Sequence, residues 1–250
     1  MPRLIVLGSA AAVHDAVHEN TYLVLASARE SILIDCAGNP IGRLQRAGTP
    51  VEILSSVIIT HNHPDHTYGL PILLMDLWLL GRTQPLRIYA PSDAINALRL
   101  IMVAHKWDQW PNFYPVEFIE IPVAASSTIL KTEDFIIASA PGNHFVPVVG
   151  LRVTNCHTGY SVMYTSDTSP IDSLTQLAQG VNLLFHDTAG DTLGHSSARM
   201  AGRMAREAQV EKLILIHYPV DADPAALVAD AQSEFTGPIE VAQDFAEYFI

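Results

Sequence analysis

Apolar and polar positions fall into short blocks along this chain, and each block has the length and period of a strand or a helix. Residues 4–7, 22–26 and 31–36 are apolar runs rich in Ile, Leu and Val. They predict three strands, the first two joined by a loop over 8–20. Asn39 and Pro40 supply an N-cap and a first helical position, opening a short helix that closes at Gly48. A β-branched strand over 56–60 leads into a polar turn. Residues 68–80 then read as an apolar helix with Pro71 near its first turn, where a missing N–H costs little. A strand over 86–90 and a helix capped by Pro91-Ser92-Asp93 and running to about His105 follow. A second block predicts strands over 116–121, 135–140, 148–154 and 161–165, then helices over 171–179 and 197–209 alternating with strands over 183–186 and 212–217. Asp223-Pro224 opens a last helix. Two blocks of strands, each followed by helices, imply two sheets packed face to face with helices outside.

Composition adds bounds. The 250 residues are 49% apolar and 16% charged, as expected of one folded domain over 1–250. The apolar run 70–80 is interrupted by Asp76 and too short to span a bilayer, and the run 4–7 is too short for a signal peptide. Lys and Arg number 14 against 26 Asp and Glu, a net charge of −12 with no basic tract, which argues against a long nucleic acid as partner. Cys36 and Cys156 have no CxxC spacing and read as buried, reduced thiols of a cytoplasmic protein.

The polar turn after strand 56–60 carries the chemistry. Thr60-His61-Asn62-His63-Pro64-Asp65-His66 sets four metal-binding side chains within six residues, a pattern expected by chance on the order of once in a thousand such chains. In an extended turn His61 and His63 point to one side and share an ion, while Asp65 and His66, displaced by the turn, reach a second. Three more candidates each follow an apolar strand: His144 after 135–140, Asp167 after 161–165 and His217 at the end of 212–217. A different signal comes from 105–115, where Trp107, Trp110, Phe113 and Tyr114 sit among polar residues and two prolines. The stretch either plugs its rings into the core or forms a lid that faces substrate or a second subunit.

The order His-x-His-x-Asp-His, His, Asp, His resembles the metallo-β-lactamase superfamily. The runs Tyr164-Thr165-Ser166-Asp167-Thr168, Leu184-Phe185-His186-Asp187-Thr188 and Gly194-His195-Ser196-Ser197-Ala198 are similar to its ribonuclease Z-like branch. The resemblance covers Leu4 to about Pro219 and implies an α/β chain folded as a four-layer αββα sandwich of two mixed sheets, with metals at one edge. It implies that His61, His63 and His144 hold one metal, that Asp65, His66 and His217 hold the other, and that Asp167 bridges them. Such a nitrogen and oxygen ligand set suits Zn²⁺, with Mn²⁺ as the other candidate, at a spacing of roughly 3.5–4 Å. A water between two such ions is deprotonated near neutral pH and becomes the nucleophile, with Asp65 orienting it.

His195 is the expected acid. It precedes Ser196, read as the N-cap of helix 197–209, whose free N–H groups and positive dipole end favour a phosphate. Asp187, where the branch usually carries Glu, orients it. The tRNA-processing members carry a long arm between the His and the bridging Asp; here two strands and the turn 155–160 leave no room for one. Armless relatives of this branch include hydrolases of small cyclic phosphodiesters and the anti-Pycsar enzymes that open 3′,5′-cyclic nucleotides. The expectation is a binuclear phosphodiesterase, a cytoplasmic homodimer, acting on a small cyclic nucleotide, with Trp107 and Trp110 stacking on the base and Ser196 contacting the substrate. Competing readings are a tRNA 3′-processing endonuclease, a hydrolase of lactones, thioesters or β-lactams, and a metal-binding module without catalysis.

Overall fold

The computed structural model describes residues 1–250. Its strands are β1 (Arg3–Gly8), β2 (Tyr22–Ala26), β3 (Ser31–Ile34), β4 (Leu54–Ile58), β5 (Leu86–Ala90), β6 (Val116–Glu120), β7 (Ser127–Lys131), β8 (Phe135–Pro141), β9 (Val149–Asn155), β10 (Ser161–Tyr164), β11 (Leu183–Asp187), β12 (Lys212–Ile216), β13 (Ile239–Val241) and β14 (Glu247–Phe249). Its helices are α1 (Pro40–Arg46), α2 (Pro64–Thr67), α3 (Leu70–Leu79), α4 (Ser92–Ala104), α5 (Asp172–Leu177), α6 (Ala198–Glu207) and α7 (Pro224–Gln232). Two seven-stranded sheets run in the orders β14-β1-β2-β3-β4-β5-β6 and β13-β12-β11-β10-β9-β8-β7. Both are mixed. Pairing is antiparallel from β14 to β3 and from β7 to β10, and parallel from β3 to β6 and from β10 to β13.

The continuous apolar strands explain the layers. Alternate side chains of one strand point to opposite faces, and here both faces are covered. Leu4, Val6, Leu23 and Leu25 join Phe135, Leu151, Phe185 and Ile214 in the layer between the sheets. Ile5, Leu7, Tyr22 and Val24 pack with α1, α3 and α4 residues such as Leu44, Leu73 and Leu98. Leu184, Leu213 and Leu215 pack beneath Leu174, Ala201 and Ala231 of the other helices. Three apolar layers between four structural ones make the αββα sandwich that the sequence implied.

Four differences from the sequence-based expectation have simple causes. Residues 116–121 belong to the first sheet, where β6 extends the parallel pairing of β5. β7 was not foreseen because Ser, Thr and Lys occupy an edge strand with no fully buried residue. The helix expected over 68–80 begins only at Leu70, as α3, and Gly69 separates it from the short α2 inside the polar turn. There the Gly69 N–H donates to Cys36 O at 2.8 Å, and a side chain would meet the Ala37 carbonyl at 2.7 Å. Cys156 is exposed in the β9–β10 turn, whereas Cys36 is buried. No helix is long and apolar enough to cross a membrane.

Candidate metal centre

Six strands end at one edge of the sandwich, and the polar residues that follow them meet there. Asp35 follows β3, His61 to His66 follow β4, His144 follows β8, Asp167 follows β10, Asp187 closes β11 and His217 follows β12. Open sheets with parallel strands gather their functional residues at this carboxyl end. Asp35, Ser166 and His217 take positive φ angles of 59°, 56° and 55°. A left-handed backbone costs such residues about 1–2 kcal/mol each, so the surrounding contacts must hold these three turns. The turns aim Asp35 and His217 inward instead of continuing the strand.

Two groups of side chains share Asp167, and a third, Asp187, His195 and His217, lies beside them. His61, His63, His144 and Asp167 have ligand atoms within 4.8 Å of one another, and so do Asp65, His66, Asp167 and His217. Asp167 belongs to both. Its Oδ1 lies 3.4 Å from His66 Nε2 and 3.4 Å from His217 Nε2, while its Oδ2 faces His61 Nε2 at 3.8 Å and His144 Nε2 at 3.9 Å. His63 Nδ1 and His144 Nε2 stand 3.0 Å apart.

The far nitrogens of four rings are engaged. His66 Nδ1 pairs with Asp35 Oδ2 at 2.9 Å, and His61 Nδ1 lies 3.0 Å from Thr60 Oγ1. His144 Nδ1 donates to Gly194 O at 2.7 Å, and His217 Nδ1 lies 3.2 Å from Asp187 Oδ1. These contacts fix the tautomer and leave Nε2 facing the centre with a lone pair, the arrangement that supports metal-binding histidines. His61 Nε2, His66 Nε2, His217 Nε2 and Asp167 Oδ1 are buried with no hydrogen-bond partner. Four orphaned buried polar atoms converging on one point would be costly in a protein core unless a cation meets them.

The electrostatics agree. Asp35, Asp65, Asp167 and Asp187 cluster here, and their charged contacts are histidines alone. Burial alone would lower His217, yet Asp167, Asp187 and Asp65 lift it to about 10. Burial likewise opposes protonation of His66, and Asp167 and Asp35 override it. Burial would raise Asp65, but His217 and His66 hold it below the usual carboxylate range. Without an ion, histidinium supplies the positive charge. Divalent ions would replace those protons, so the residues present fit a two-ion centre.

Asp187 does more than the sequence suggested. Its Oδ2 accepts from His195 Nδ1 at 3.0 Å and from Thr168 N at 3.2 Å, while its Oδ1 faces His217 Nδ1 and accepts from Ala189 N at 2.9 Å. One carboxylate therefore orients the candidate acid and a candidate ligand together. The His195 ring stacks on that of His217 at 5.6 Å and 12°. Burial would lower His195, but the bond to Asp187 raises it above its ordinary value and favours the protonated form that an acid needs.

Other expected residues lie elsewhere. Ser196 is buried with its hydroxyl donated to Thr168 O at 2.7 Å, and the N-cap of α6 is Ser197, whose hydroxyl accepts from Met200 N. Trp107 and Trp110 are half-buried and pack on the helical side of the first sheet. The cavity over the ligands, about 350 Å³, is instead lined by His63, Asp65, His144, Asp167, His195 and His217, with Ala11, Ala12, Phe145, Ala189 and Thr192. The first loop reaches this cavity through Ala11 and Ala12, while His18 pairs with Asp15 outside it. His186 places Nδ1 against the Asp187 carbonyl and joins none of these groups. Asp35 was missed, although it ends an apolar strand just as Asp167 does.

Comparisons with known proteins agree with the fold. The family described as anti-Pycsar protein Apyc1 has a model that matches residues 2–242. The ribonuclease Z of Methanothermobacter thermautotrophicus is 26% identical over an alignment 294 positions long, spanning 95% of this chain and 93% of its own. The metallo-beta-lactamase fold protein YhfI from Bacillus subtilis superposes with a TM-score of 0.85 at 23% identity over 100% of both chains. The short form of human tRNase Z does so with 0.81 at 22% identity over 99% of both.

Proposed function

The chain belongs to the anti-Pycsar protein Apyc1 family and is a metallo-hydrolase of the metallo-β-lactamase fold, and from that premise we propose that it hydrolyses a small cyclic nucleotide phosphodiester at a two-metal centre. His61, His63, His144 and Asp167 would hold one ion, and Asp65, His66, His217 and Asp167 the other, Zn²⁺ before Mn²⁺. When bound, such ions acidify a water and neutralise charge on the phosphoryl oxygens. Asp65 orients the attacking water. As the new P–O bond forms and the ring P–O bond breaks, His195 passes a proton to the departing oxygen.

The observation that carries this reading is the pair His195–Asp187. With Nδ1 held at 3.0 Å by Asp187, the ring meets substrate through Nε2 at the lip of the ligand cavity. A fixed proton donor suits an alkoxide leaving group, which needs protonation. The cavity of about 350 Å³ falls within the roughly 300–1,000 Å³ of small-molecule sites. The missing arm also supports a small substrate, because β9 and β10 are joined by residues 156–160 alone. So does the net charge of −12.

Exposed Ile72, Leu79, Leu100 and Val103 on α3 and α4 support a homodimer. Light scattering at twice 27.3 kDa tests it, and Trp107 and Trp110 would reach substrate only from such an interface. Exposed free Cys156 fits a reducing cytoplasm, to be checked by fractionation.

Likeness to ribonuclease Z sustains a second reading, tRNA 3′ processing. Turnover with Zn²⁺ and with Mn²⁺ on 3′,5′- and 2′,3′-cyclic nucleotides, bis(p-nitrophenyl) phosphate and a tRNA precursor separates them. Cyclic-nucleotide cleavage lost in His195→Ala is expected. Cleavage of the precursor alone would transfer the assignment to RNA.

A further inference from the structure

An aromatic ring that no motif marks stands in the wall of the ligand cavity. Phe145 directly follows the candidate ligand His144, and the two ring centroids are 5.2 Å apart at 70°. Phe145 lines the cavity and is 61% exposed. The backbone of the turn that carries it is pinned on both flanks. Gly142 N–H donates to Val148 O at 3.0 Å, Asn143 N–H to Thr168 Oγ1 at 3.0 Å, and Ser169 N–H to Asn143 O at 2.9 Å. Gly194 backs one edge of the ring. A side chain there would lie 3.2 Å from Phe145 Cδ2 and 2.6 Å from His144 Nδ1, at a φ of +80° that already favours glycine.

Beyond the histidine and aspartate cluster that makes the floor, the cavity is lined by Phe145, Ala11, Ala12, Ala189 and Thr192, a largely apolar wall in which only Thr192 carries a side-chain hydroxyl. A phosphodiester seated on that floor presents its organic substituent to this apolar wall. A single flat ring held open to solvent beside small residues is suited to a planar group laid against its face.

We propose that Phe145 is a specificity-determining residue, the platform on which the nucleobase of the substrate stacks. The inference rests on the phosphodiesterase reading and deepens it, assigning base contact to a residue within the same chain as the ligands.

The test compares kcat/KM for adenosine 3′,5′-cyclic phosphate with that for the 3′,5′-cyclic phosphate of 1,2-dideoxyribose, the same phosphodiester ring without a base. Wild-type protein, Phe145→Ala and Phe145→Tyr are assayed with metals loaded. Phe145→Ala is expected to reduce the preference for the base-bearing substrate by about 10-fold or more, mainly through KM, and Phe145→Tyr to restore it. A preference unchanged in Phe145→Ala, with wild-type protein active on both compounds, overturns this inference and leaves the phosphodiesterase reading standing. A wild-type protein inactive on both overturns the two together. Equal melting temperatures for the three proteins are expected because the ring is exposed, and they exclude a folding defect as the cause.

Discussion

Two of the loops that carry aromatic rings treat them in opposite ways. In the stretch 105–115 the rings satisfy one another. Trp110 stacks on Trp78 at 5.1 Å and 15°, Trp107 meets Phe113 at 5.9 Å, and Phe113 meets Tyr114 at 4.5 Å. Tyr114 is buried with its hydroxyl donated to Leu74 O at 3.2 Å, and Trp78 Nε1 donates to Pro111 O at 2.9 Å. In the turn 141–148 the Phe145 ring stays open, in the wall of the cavity that also holds Asp167 and His217, whose Oδ1 and Nε2 lack partners. An abundance of aromatic residues is thus the mark of a local core. One unpacked ring beside orphaned ligand atoms is the mark of a site.

The contrast breaks or sharpens under substitution. The largest effect belongs to Asp167, whose two oxygens face both ligand groups. Asp167→Ala is expected to cut kcat/KM by about 10³-fold or more, with a fall in bound metal by elemental analysis. Retention of both would remove the two-ion centre. His195→Ala should lower kcat by about 10²–10⁴-fold with metal content intact; metal loss would make His195 a ligand instead of an acid. Asp187→Asn disturbs His195 and His217 together, so metal affinity should drop about 10–100-fold along with activity. Trp110→Ala should cost about 1–3 kcal/mol of stability by denaturant melting, with little change in KM. A KM rise matching that of Phe145→Ala would return the stacking role to the first stretch.

The last effect is one of pH and belongs to the metal-free protein. His217 in the metal-free protein is raised from 6.5 to about 10, so its contribution is complete below 6.5 and is lost as pH rises towards 10. Chelator-treated protein should therefore melt lower across that range. Metal-loaded protein should not, because ions take the place of the protons. Parallel melting curves for the two forms would contradict the exchange of protons for ions.

Much was legible in the chain because it is local. The cluster His61, His63, Asp65 and His66 lies within one turn, the apolar runs have strand length, and Asn39 caps α1 as its spacing indicates. Two sheets packed face to face with helices outside follow from strands that are apolar on both faces. Other features had no local signal. β13 and β14 are three residues long, and β6 joins the first sheet only through its register with β5. The sharing of Asp187 between His195 and His217, the hold of Asp35 on His66 and the opening of Phe145 onto the cavity depend on which strand ends become neighbours. Sequence determines which side chains can bind a metal, move a proton or stack on a base. Sheet order and register decide which of them meet, because burying the apolar faces sets the register, and the polar ends follow.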